Sequence, residues 1–434
     1  MRTIEILDGG LFTTVQDLGR FQYQRYGVAV SGAMDGFALR AANRLVGNAD
    51  AAAGLEVTLI GPEVRFGQPG LIAVTGANLG PCVDGRPIQM WRTIEVRVGS
   101  ALSFSGQRDG LRAYVAVDGG IDVPVVLGSR ATSTRSGLGG FEGRPLRAGD
   151  VLPVGGARSH ATLERGDPRH AVPGAAGFVP GAPGRPASEK TAPLELAGRP
   201  LGSPGSPSSS LRAGSPACSP GGSTRPGSPG SSPASGNAPR GAARRAMRSS
   251  DIPSYGHEHR VRVVFGPQDD AFSDEGRSTF LTAVYTMTPQ SDRIGCRFDG
   301  PRIAHRTSAD IVSDGTTLGI VQVSGDGMPI VLMADRGTTG GYTKIATVIS
   351  ADIWRLAQAA PGDRVRFDVV DLDEACARLR EQEAVLDALV TPEATRPAAP
   401  EDDVYDEDAG GGLAAEGFGD LADALDETGW GRDE

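Results

Sequence analysis

Two stretches of the chain concentrate side chains able to grip or turn over a small polar molecule. In the first, Thr13-Thr14-Val15-Gln16-Asp17-Leu18-Gly19-Arg20 is followed closely by Ser31-Gly32-Ala33-Met34-Asp35. Gln16 and Ser31 can donate and accept hydrogen bonds, and the planar fork of Arg20 matches a carboxylate. The same residue types also build turn networks, in which Thr and Asp bond their own backbone and Asp35 caps the helix that follows. The second stretch is longer. It holds Gln268 after Gly266-Pro267, then Ser291-Asp292-Arg293, Ser313-Asp314-Gly315, Gln322, and Asp335 ahead of Thr338-Thr339-Gly340-Gly341-Tyr342. A Thr-Thr-Gly-Gly loop leaving a buried strand exposes hydroxyls, Thr339 among them, beside backbone N–H groups. A tight turn between two elements would use the same residues.

Several chemistries are missing their signatures. No glycine immediately precedes Lys344 and Ile345 follows it, so the nearest approach to a phosphate-binding P-loop fails. Lys190 and Lys344 are the only lysines and neither sits in Met-Lys-Met, so no covalently attached biotin is expected. Cys82, Cys218, Cys296 and Cys376 lie far apart, without zinc or disulfide spacing, and read as reduced thiols. Of five histidines, His160, His170, His257 and His259 fall in or beside a low-complexity stretch and read as solvated linker. His305 is core or catalytic. No metal site is expected.

These candidates need elements to position them. The chain of 434 residues has 62 Gly and 31 Pro, too many for one uninterrupted packed body. Residues 201 to 240 alone hold 8 Gly, 8 Pro and 12 Ser, and such a run cannot bury enough apolar surface to offset its ordering entropy. The expected organisation is a first β block at 1–154, a disordered insertion at 155–258, a second β block at 259–392 and an acidic disordered tail at 393–434. The net charge of −10 sits in that tail: residues 401–434 carry −12 and the remainder +2, so no basic surface argues for nucleic acid. With no signal sequence and no membrane span, the reading is a soluble, cytoplasmic protein.

Runs such as Leu71 to Thr75, Thr93 to Val98, Tyr114 to Val117, Val261 to Phe265, Ile330 to Met333 and Val365 to Val370 are bounded by Gly, Pro and Asp, as strands are. Helical spacing is confined to Ala38–Leu45 after Asp35, to Ile353–Leu356 before Pro361-Gly362, and to about 373–390, with Cys376, Leu379, Leu386 and Leu389 on one side. The fold class is therefore mainly β with short helices, and a faint echo of Gly61-Pro62 in Gly300-Pro301 permits two similar barrels.

In order along both blocks, Thr13 to Arg20, Tyr23 to Val28, Ser31 to Asp35, Ala42 to Asn48, Leu55-Glu56, Gly119 to Asp122, Gly266-Pro267-Gln268, Ser291 to Arg293, Ser313 to Gly315 and Ala334 to Tyr342 resemble the carboxyltransferase-domain family, also called the allophanate hydrolase subunit 2 family. The resemblance implies two cyclophilin-like barrels. It also implies one of three settings: the C-type subunit of 5-oxoprolinase, the carboxyltransferase part of biotin-dependent urea carboxylase or urea amidolyase, or a regulatory partner of a kinase-inhibitor subunit. In the first, a complex with a sister subunit (B type) and a lactam-utilisation subunit (A type) hydrolyses 5-oxo-L-proline to L-glutamate, with ATP supplied through a partner. On that reading Gln16, Arg20, Ser31, Gln268, Arg293 and Thr339 bind the small substrate, Arg20 or Arg293 taking its carboxylate, and Asp292 or Asp335 transfers the proton. Gly337, Thr343 and Ile294 depart from the usual pattern, where Gln, Pro and Met are common.

Overall fold

The computed structural model describes residues 2–156 and 245–389. In the first block twelve elements follow one another: β1 (Arg2–Asp8), β2 (Phe12–Gln16), α1 (Gly36–Leu45), β3 (Gly54–Thr58), β4 (Glu63–Phe66), β5 (Gly70–Asn78), β6 (Pro81–Val83), β7 (Arg86–Pro87), β8 (Ile94–Val96), β9 (Ala101–Phe104), β10 (Asp109–Val117) and β11 (Val151–Val154). The strands form a six-stranded sheet, β11-β1-β4-β9-β6-β7, and a five-stranded sheet, β2-β3-β10-β5-β8. Alternating residues such as Ile4 and Ile6 of β1 and Leu55 and Val57 of β3 point into one core between the two sheets.

The second block contains β12 (Glu258–Phe265), α2 (Asp274–Thr282), β13 (Tyr285–Met287), β14 (Gly295–Asp299), β15 (Asp310–Gly315), β16 (Ile320–Val323), β17 (Pro329–Leu332), β18 (Thr339–Val348), α3 (Ile353–Gln358), β19 (Arg364–Val369) and α4 (Leu372–Ala388). Its sheet runs β12-β19-β13-β14-β17-β16-β18, and β18 pairs again with β12, so the ring closes and its edges disappear. Phe367 fills the centre, stacked on Phe280 with ring centroids 4.6 Å apart and met edge-on by Phe298 at 6.1 Å. The ten residues of β18 overrun the ring: Thr343 to Thr347 pair with β16, while Thr339 to Tyr342 project beyond it and carry β15 as an extra strand.

The mainly β class is as the sequence reads, and the strands fall where β-branched runs stand. α2 has no counterpart in the apolar periodicity, because it buries only Gly276 and Phe280; its signal is the Ser273 side chain, which accepts from the Gly276 N–H as an N-cap. In α4, Leu386 and the following Leu389 are buried, but Cys376 and Leu379 are exposed: the stripe on one side has a neighbour only near its C-terminal end.

Residues 245–257, expected in the insertion, are held against the fold by a few buried side chains. Met247 and Tyr255 are buried among Trp91, Ala41 and Leu386, and Tyr255 meets Trp354 edge-on. Of the two histidines expected as solvated linker, His257 bonds Asp363 but is exposed, as expected, whereas His259 bonds the same carboxylate and is buried on β12. Residues 157–244 and 390–434, with the Gly/Pro/Ser run and the acidic tail, lie outside the described residues.

The two blocks interlock. Met34, from the loop ahead of α1, is buried within the core of the second barrel, and α1 itself lies between the five-stranded sheet and α4. On α1, Arg40 reaches both Glu383 oxygens at 2.6 Å and Arg44 reaches Asp387 at 2.8 Å, pinning α4 in place.

Candidate functional site

The expected site residues separate into two groups with different surroundings. The first lies at the seam between the blocks and is closed to solvent. Glu56, on β3 between the core residues Leu55 and Val57, receives the Met34 N–H at 2.8 Å and the Tyr114 hydroxyl at 2.8 Å. Its other oxygen accepts from Arg293 Nη1. Arg293 also donates from Nε to Asp335 Oδ2 at 2.9 Å and from Nη2 to the Gly32 carbonyl at 2.6 Å. All three arms of that guanidinium are thus committed to protein groups. Burial alone would push Arg293 down, but Asp335 and Glu56 overcome it and hold the cation above its ordinary range. Arg293, expected to fork a substrate carboxylate, instead holds two carboxylates of its own chain, and Asp335, expected to move a proton, is one of them.

The network continues through the cap of α1. Tyr114 Oη accepts from the Asp35 N–H at 2.8 Å, and Asp35 accepts from Ala38 N at 2.9 Å and from Gln358 Nε2 at 2.9 Å. Gln358 reaches across from α3, accepting from Leu111 N and Arg112 N and donating to the Arg112 carbonyl. Burial raises Asp35 to about 6, against hydrogen bonds from Gln358 and Ala38 that lower it. A carboxyl raised in the native state binds more protons folded than unfolded between about pH 4 and 6. Its contribution to stability therefore grows as pH falls through that window. Asp35→Asn is expected to remove this slope from denaturant-midpoint measurements; an unchanged profile would show that Asp35 does not titrate there.

Arg20 is fully buried nearby. Its Nη2 donates to the Ala131 carbonyl at 2.6 Å, while Asp17 accepts from Gly19 N, Ser129 Oγ and Arg130 N, tying the loop after β2 to residues 129–131. Gly139 has φ +69°, and a Cβ there would stand 2.4 Å from Arg20 Nη2, so only glycine fits. Ser31, in the left-handed region at φ 55°, donates its N–H to the Ala334 carbonyl, a direct bond between the blocks. Gln16 donates to Thr14 and to the Thr132 carbonyl. Gln16, Arg20, Ser31, Arg293 and Asp335 are all buried at the seam, and Gln16 Oε1, Arg20 Nη1 and Ser31 Oγ have no hydrogen-bond partner among the described residues. Asp292 is separate: it is exposed, and its carboxylate caps its own turn through Ile294 N and Gly295 N.

The second group lies where β18 leaves the ring, and it meets solvent. Lys344 has a side chain only 1% exposed, and its Nζ bonds Asp314 Oδ2 at 3.0 Å; the Asp314 side chain is 60% exposed. The hydrogen bond from Lys344 and the Gly315 N–H hold Asp314 below its usual carboxylate range. Lys344 and Gln322 are register partners of β18 and β16, which places their side chains on one face of the sheet. Gly340 leaves room for that glutamine, since a Cβ would stand 2.4 Å from its Nε2. Gln268 flanks Lys344 through the backbone, accepting from its N–H and donating to its carbonyl at 3.3 Å each. Thr339 and Tyr342 are exposed on the projecting part of β18. His305 bonds Thr343 Oγ1 at 3.0 Å and packs on Phe272, and burial lowers it toward the neutral imidazole.

Of the expected residues, then, Gln268 and Thr339 belong to the open cluster. Lys344 was not expected in a site at all, nor were Glu56, Tyr114 and Gln358 in the seam. The sequence signal for Lys344 is its rarity: one of two lysines among 43 basic residues, on a strand where neighbouring positions are apolar or Thr. No group of three or more His, Cys, Asp and Glu among the described residues could hold a metal ion, and none of their helices is long and apolar enough to cross a membrane.

Comparison with known proteins supplies the remaining observations. The family model for the carboxyltransferase domain, subdomains A and B, matches residues 26–186 and 212–369. The chain is 29% identical over 386 residues to the C-type subunit of 5-oxoprolinase from Escherichia coli, covering 89% of this chain and 97% of that one. It is 30% identical to the C-type 5-oxoprolinase subunit of Haemophilus influenzae, with the same coverage of both. The crystal structure of the K. lactis urea amidolyase superposes with a TM-score of 0.67 at 26% identity, over 92% of this chain and 20% of that one.

Proposed function

The chain belongs to the carboxyltransferase-domain family, and from that premise we propose that it serves as one subunit of an ATP-dependent 5-oxoprolinase, whose complex hydrolyses 5-oxo-L-proline to L-glutamate. The observation that carries this reading is the end-to-end match: the chain accounts for 97% of a 5-oxoprolinase subunit but only 20% of a urea amidolyase.

The substrate is a small cyclic amide bearing a carboxylate, and opening it demands a group for the carboxylate and polar contacts for the amide. On this reading the open cluster at the second barrel supplies them. The seam residues hold the two blocks in register so that the cluster keeps its shape. ATP reaches the reaction through partner subunits, a sister subunit of the B type and a lactam-utilisation subunit of the A type; the departures from a P-loop around Lys344 fit that division of labour. The complex acts in the cytoplasm.

Disrupting the gene tests this. The mutant is expected to accumulate 5-oxoproline and to fail to use it as sole nitrogen source, while still growing on glutamate. Normal growth on 5-oxoproline combined with failure on urea would replace the proposal with the urea-carboxylating one.

A further inference from the structure

We infer that Lys344 is an anion-binding residue whose resident counter-ion, Asp314, is exchanged for the carboxylate of a small ligand. This deepens the reading above, naming the cation that would hold the substrate's carboxylate.

Lys344 differs from the other paired cations of the fold. Its aliphatic stem is buried, so the ammonium is fixed in place rather than swinging in water. An ammonium has three donors, and the protein supplies one carboxylate oxygen at 3.0 Å. That carboxylate is the unusual part. Asp314 lies on β15, which is bonded only to the projecting end of β18 and is exposed along nearly its whole length. Since 60% of the Asp314 side chain already meets solvent, it can turn into water at little desolvation cost. An incoming carboxylate then restores charge balance around the buried ammonium, and one half-exposed counter-ion is exchanged for another. At the seam the same exchange is blocked, because Glu56 and Asp335 are themselves buried and have nowhere to go.

Two further features suit the site to a small ligand. The Gln322 carboxamide on the same face can both donate and accept, as an amide ligand requires. The choice of lysine in a chain that uses arginine almost everywhere else matches a compact point charge in a restricted space.

The test is direct binding, which needs no turnover. The full chain, in complex with its partner subunits, is titrated with cyclopentanecarboxylate, which has the charge without the amide, and with 2-pyrrolidinone, which has the amide without the charge. Wild-type protein is expected to bind the carboxylate, and Lys344→Met to lose at least tenfold in affinity while 2-pyrrolidinone binding is unaltered. Asp314→Asn removes the competitor: its thermal midpoint is expected to fall, to be restored by cyclopentanecarboxylate and not by 2-pyrrolidinone, and its affinity for the carboxylate to rise several-fold. Equal carboxylate affinity in Lys344→Met, or no gain in Asp314→Asn, overturns the proposal. If Lys344→Met does not fold, the Asp314→Asn result decides alone. A complex that fails to hydrolyse 5-oxoproline yet shows this binding pattern would refute the proposed function and leave the anion site standing.

Discussion

Replacing Arg293 with methionine is expected to destabilise the protein by about 3–5 kcal/mol, the cost of leaving a buried charge without its partner. Two carboxylates would be stranded. Glu56 and Asp335 are both buried, and each loses a charged hydrogen bond, as does the Gly32 carbonyl. For a folded body of this size the thermal midpoint should drop by on the order of 10 °C. The control is the triple variant Arg293→Met, Glu56→Gln, Asp335→Asn, which removes the orphaned charges and should recover part of the loss. An unchanged midpoint with lost activity would return Arg293 to the role the sequence suggested for it, as a substrate ligand.

The second large effect belongs to Gln358. Its carboxamide makes four hydrogen bonds at one end of α3, to Leu111 N, Arg112 N, the Arg112 carbonyl and Asp35. A leucine there fills similar volume but takes a partner from two N–H groups and a carbonyl, and one hydrogen bond from Asp35, which keeps the Ala38 N–H. At about 1–3 kcal/mol for each unsatisfied buried group, with relaxation and water entry recovering part, a loss of about 2–4 kcal/mol is expected. Because Gln358 lowers Asp35, its removal should also move the protonation of Asp35 to higher pH. Denaturant unfolding at several pH values reads both. A loss below about 1 kcal/mol, the worth of a single ordinary hydrogen bond, would show that the link between α3 and β10 is incidental.

Much of this fold was legible because its elements are written locally. Val261 to Phe265 and Val365 to Val370 alternate as strands do, and Asp35 caps α1 three residues ahead of Ala38. The closing of the second ring was not: it depends on β18 meeting both β16 and β12, a pairing that no local pattern encodes. Packing of Met247 and Tyr255 was hidden for another reason, since each is a single apolar residue beside a stretch whose composition reads as unpacked.

The candidate site divides in the same way. Residue type found the polar positions, and type cannot tell a buried brace from an open ligand. Arg20 and Arg293 looked like carboxylate forks, and Arg293 is one, but its carboxylates stand 237 positions away at Glu56 and 42 away at Asp335. Lys344 looked like a failed nucleotide motif. Only its burial, set against the exposure of Asp314, marks it as a cation whose partner can leave.

The central claim is tested most directly by combining the purified chain with candidate B-type and A-type partner subunits and following glutamate formed from 5-oxo-L-proline. Glutamate is expected to appear only with ATP and only when all the subunits are present. Absence of glutamate from every combination, with bicarbonate-dependent carboxylation of urea in its place, would contradict it.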